Sequence, residues 1–151
     1  MSPDEVNAAN ADARSRLAAL VASLSSDDLR ASTGDWTVAA TLAHLSFWDR
    51  WQVVRWRAAI GGGAVAPPIV QDGLTDLINA TMAPLLDAVP AERAGALALD
   101  AAAAVDAIVA GLPEASIRAV AEQRRPRTAD RSRHRLEHIA QIERALGRSG
   151  A

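Results

Sequence analysis

Apolar positions recur at helical spacing along most of the chain, and nowhere does a strict two-residue alternation compete with them. Residues 4–24 carry Val6, Ala9, Leu17, Leu20, Val21 and Leu24 on one stripe, with Ser2 or Asp4 placed to cap the helix and Pro3 suited to its first turn. Ser25 to Asp28 begin a short turn of helix or a loop, and Thr33–Gly34–Asp35 interrupt the chain again. A second helix is expected from about Thr37 to Ile60, N-capped by Asp35 or Thr37. It is apolar over most of its circumference, which is the pattern of a helix packed on all sides. The segment GGGAVAPPIVQDG, 61–73, reads as a long crossover loop. Helical patterns follow at 74–89, where Pro84 predicts a kink or break, and at about 91–111, which is rich in alanine. A short apolar piece, ASIRAVAEQ, and an arginine-rich loop lead to a last helix over about 129–147, capped by Thr128 or Asp130 and ended by Gly147. The expected fold is all-α, a single-domain four-helix bundle with a long crossover loop between helices two and three.

Composition narrows the chemistry. A chain of 151 residues with half of them hydrophobic suits one domain with a real core. Net charge is −2, which argues against nucleic acid as a partner. There is no cysteine, hence no disulfide, thiolate ligand or cysteine nucleophile. All 16 basic residues are arginine, so no lysine can form a Schiff base. The N-terminus has no signal-peptide pattern and no apolar run is long enough for a bilayer, so a cytoplasmic protein without a membrane partner is expected.

The candidate chemistry lies in three histidines. His134 and His138 are four residues apart in RHRLEHIAQIERAL and share one helix face, about 40° apart on an ideal wheel. His44, on the apolar second helix, is the only other imidazole in the chain. Two imidazoles leave a metal underbound, and a third from another helix completes a set of the kind found in catalytic zinc sites. The same residues admit a plainer reading, in which an HxxxH pair is solvated and His44 is a core histidine bonded to a backbone carbonyl. If a metal is held, Gln141 and Asp130 fall where they could orient an imidazole, and Trp48 and Trp51 would wall the pocket. Asp49 is a possible base but sits about 140° from His44, so a surface position is expected for it. The cluster Arg124, Arg125, Arg127, Arg131, Arg133 and Arg135 reads as a solvated loop balanced by nearby acids. Within it, Arg131 and Arg135 lean toward the histidine face and are candidates to bind a substrate carboxylate.

WTVAATLAHLSFWDRW (36–51) and HRLEHIAQIERAL (134–146) resemble the DinB-like superfamily, which includes mycothiol-dependent maleylpyruvate isomerases and related thiol transferases. The matching residues are Trp36, His44, Leu45, His134, His138, Gln141 and Ile142. The resemblance implies a bundle in which His44, His134 and His138 hold a divalent metal, zinc or nickel before iron or copper. It also implies a homodimer and a metal that activates a low-molecular-weight thiol such as mycothiol for transfer or isomerisation. The additional C-terminal domain of the maleylpyruvate isomerases is not expected in a chain ending at Ala151. The rival from another class is a non-enzymatic helical module whose metal is structural or absent.

Overall fold

The computed structural model describes residues 2–71 and 73–148. Helix α1, Pro3–Ser23, opens on a reciprocal cap: Ser2 Oγ accepts the Glu5 N–H, and the Glu5 carboxylate accepts the Ser2 N–H. The same device at Ser25 and Asp28 starts α2, Ser26–Arg30. Thr37 caps α3, Val38–Gly61, through the Ala40 N–H. After an irregular crossover come α4, Leu74–Asp87, and α5, Ala91–Ala110. Helix α6, Glu114–Glu122, a single 3-10 turn at Pro126–Thr128, and α7, Ser132–Ala145, complete an all-helical chain with no strand among the described residues.

Two boundaries differ from expectation. Pro84 lies inside α4 without ending it. The carbonyl that loses its partner there belongs to Ala80, an exposed residue, where water can serve instead. The last helix starts at Ser132 rather than near 129, because Pro126–Thr128 tighten into the 3-10 turn. Its cap comes from elsewhere in the chain. Asn10 of α1 accepts the Arg131 and Ser132 N–H groups with Oδ1 and donates Nδ2–H to the Ala129 carbonyl. Asp130 contributes locally by accepting from Ser132. At the other end Gly147 takes φ 64°, the left-handed residue that closes the helix.

The long helices α1, α3, α5 and α7 pack on one another, α3 lying chiefly against α5 and α1 against both α7 and α5. Alanines make the close approach possible: Ala94, Ala98, Ala101 and Ala102 of α5 are buried. At Gly95 a Cβ would lie 2.6 Å from Val21 Cγ1, so α1 crosses α5 where only glycine fits.

The core is apolar at both ends and charged between them. One cluster gathers Leu17, Leu20, Val38, Leu42, Leu45, Ala98, Ile139 and Ile142. The other gathers Val6, Val53, Trp56, Val105, Val109, Ile117 and Val120. Between these positions, on each of the four helices, lies a polar side chain: Asn10, Asp49, Asp106 and Arg135. Arg135 is fully buried, and Asp49 is 1 % exposed. Arg135 donates Nε–H to Asp49 at 3.0 Å and grips Asp106 with both terminal nitrogens at 3.1 and 2.8 Å. Arg131 donates Nε–H to the other Asp49 oxygen at 2.7 Å. Arg14, partly exposed, pairs with Asp106 at 3.2 Å. Burial works against the Arg135 charge, but Asp49 and Asp106 outweigh it and hold that charge above its usual range.

Candidate metal centre

His44 stands five residues before Asp49 on α3. His134 and His138 stand on α7 on the same level, where Arg131 and Arg135 of that helix anchor to Asp49. The three rings converge. Their centroids are 5.5 Å apart for His44–His134, 4.8 Å for His44–His138 and 4.9 Å for His134–His138. One nitrogen from each lies within 4.8 Å of the others, and among the described residues this group could hold a metal ion.

Each ring is held by a different partner. Trp36 packs on His44 with ring centroids 4.6 Å apart. The loop carrying Trp36 is itself closed by the Val38 N–H on the Ala31 carbonyl and by the Thr33 N–H on the Trp36 carbonyl. Gln141 reaches across to that loop, donating Nε2–H to the Thr33 carbonyl at 3.1 Å. That bond fixes the amide so that Oε1 faces His138 Nδ1 at 2.8 Å. Nδ1 of His138 is therefore the protonated nitrogen, and its Nε2 lone pair is free to coordinate. His134 is set the other way. Its Nδ1 lies 2.9 Å from Arg131 Nη2, and a guanidinium only donates, so Nδ1 accepts. His134 can bind through Nδ1 only by displacing Arg131, and through Nε2 only after that nitrogen sheds its proton.

All three rings favour the neutral state that ligands need. Burial, then the neighbouring His138 and Arg131, pushes His44 down to about 3. Burial and Arg131 push His134 down further still. Burial also lowers His138, against the opposing pull of Gln141 and Glu137. With Arg131 displaced from His134 Nδ1, the three neutral imidazoles on two helices make a donor set that suits zinc, nickel, iron or copper.

A cleft of about 420 Å³ opens onto the histidines between α3, α4 and α7. Trp36, Trp48, Asn79, Arg127 and Glu137 are among its walls, and Trp48 Nε1–H donates to Asn79 Oδ1 at 3.0 Å. Trp51 does not line it; Trp36 takes the place expected for it. Asp130 bonds Ser132 and touches no imidazole. Asp49 is not at the surface but at the centre of the charged layer. Arg135 is closed off in that layer and does not reach the cleft. Arg131 does line it, with its donors committed to Asp49, the Arg127 carbonyl and His134. Glu137, about 60° from His134 on the wheel, sits at the rim, paired with Arg127 and Arg133. Sequence reasoning also missed Asn10 and Asp106, although both are polar residues on stripes that are otherwise apolar.

Among the described residues no single helix is long and apolar enough to cross a membrane. Compared with known protein families, curated proteins and solved structures, the chain matches none.

Proposed function

We propose that the chain is a DinB-like four-helix bundle in which His44, His134 and His138 hold a divalent metal, zinc or nickel, for chemistry on a low-molecular-weight thiol or a small anionic substrate. The observation that carries this reading is the convergence of all three histidines of the chain on one cleft, each already disposed to the neutral form. A divalent ion in an all-imidazole set keeps its full charge and lowers the pKa of a thiol or water brought to it. The residues of the chain supply the rest. Trp36 and Gln141 fix two of the rings from behind. Trp48 and Asn79 shape the wall toward α4. Glu137, the sole carboxylate among the lining residues, is placed to take up a proton at the mouth. No cysteine is present in the chain, so a thiol nucleophile has to arrive with the substrate. The reading carries with it a homodimer, for which Val54, Leu77 and Leu85, exposed on α3 and α4, offer apolar surface.

Cobalt-loaded protein titrated with low-molecular-weight thiols, mycothiol among them, tests the proposal. A new thiolate-to-cobalt absorption band is expected. Loaded protein whose spectrum no thiol changes would rule out the thiol chemistry and leave the non-enzymatic module with a structural metal.

A further inference from the structure

Beside the histidine cleft lies a second cavity, of about 360 Å³, whose walls include Arg55, Arg124, Arg125, Arg127 and Gln52. Four arginines line it, and among the described residues no acidic residue does. Arg127 has a partner in Glu137. Arg55 and Arg125 pair with no acid among the described residues. Both donate to the Pro68 carbonyl, and Arg125 also to the Pro67 carbonyl and Gln123. Two like charges thus meet on one carbonyl oxygen. The Nε of Arg125 is buried with no hydrogen-bond partner, a donor left open where water cannot freely reach it. The Arg124 side chain makes no hydrogen bond or ion pair to the described residues, and its backbone holds φ 56°, a conformation a residue of its size rarely adopts. Burial pushes the Arg125 guanidinium below its usual range, and burial with the neighbouring Arg125 charge does the same to Arg55.

We propose that this basin is an anion site, taking the carboxylate or phosphate group of a small molecule between Arg55, Arg124 and Arg125. Planar guanidiniums match both oxyanions with paired N–H donors. The basin has no aromatic wall for base stacking, which separates it from a nucleic-acid groove. Gln52 and Arg127 wall both cavities, so a molecule anchored here by its acid extends toward the histidines. That extension rests on the metal reading above; the anion site does not.

Calorimetric titration of the metal-stripped full chain with inorganic phosphate and, separately, with succinate tests the site and distinguishes the two oxyanions. Saturable binding of either is expected, weakened by roughly tenfold or more in Arg124→Gly and in Arg125→Gln. Arg124→Gly also relieves the left-handed backbone, so its melting temperature should hold or rise while its affinity falls. Binding of neither anion, or binding that both folded variants retain at full strength, would overturn the proposal. Because the titration uses metal-free protein, failure of the histidines to hold a metal leaves the result readable.

Discussion

Arg135 and Arg125 lie ten residues apart and are employed in opposite ways. Arg135 is sealed between Asp49 and Asp106, with every neighbour supplied by the fold. Arg125 meets only carbonyls, an amide and another arginine, and faces a cavity. The difference teaches what each charge is for. A guanidinium on α7 whose carboxylates come from α3 and α5 ties the three helices together, and here it fixes the helix that carries His134 and His138. A guanidinium with no carboxylate among the described residues leaves a repulsion that an outside anion would remove.

The largest test of that contrast is Asp49→Ala. It strips Arg131 and Arg135 of their shared partner in the core, and a loss of about 3–5 kcal/mol in urea unfolding is expected. A loss under about 1 kcal/mol would show the layer to be dispensable. Acid titration of the imidazoles comes next. The folded pKa of His44 is depressed to about 3 from an ordinary value of 6.5. Between those values the unfolded chain binds the proton and the native chain does not, so stability present above pH 6.5 is lost as pH falls through that window. Metal-free protein should therefore lose up to about 1.4 kcal/mol per pH unit for each such histidine. A flat profile from pH 7 to pH 4 would contradict the buried neutral cluster.

Gln141→Ala sharpens the comparison from the histidine side. It leaves the charged layer intact but frees the His138 ring, so metal affinity should fall by about 10–100-fold while the fold stays stable. Equal affinity in competition with a chelator would mean that the ring is positioned by packing alone. The smallest effect is expected from Arg125→Met, which removes a charge the fold does not pair. Its unfolding free energy should change by less than about 1 kcal/mol, against several for Asp49→Ala. Comparable losses in the two would erase the distinction.

Most of the helices were legible because their apolar stripes are long and regular, and Ser2, Thr37 and Gly147 cap or close them as their side chains and backbone allow. The histidine spacing within α7 was legible for the same reason, being a property of one helix. What the sequence did not yield was everything set by pairing between helices. Asp49, read alone on its wheel, looks like a surface residue, yet it continues the stripe of Leu42, Leu45, Val53 and Trp56. Asn10 likewise interrupts Val6, Ala13, Leu17 and Leu20, and Arg135 precedes Ile139 and Ile142. A polar residue in step with a buried stripe signals a partner on another helix, but the wheel of one helix cannot say which. The start of α7 was misplaced on the same account, since its cap comes from Asn10, more than a hundred residues away.

The central claim is that the three histidines form one metal centre. Metal content per chain, measured by elemental analysis after incubation with zinc or nickel and removal of the excess, tests it most directly, with the His134→Ala/His138→Ala double variant alongside. The account predicts about one divalent ion per chain in the wild type and none in the double variant. Wild-type protein without metal, or a double variant that keeps its metal, would contradict it.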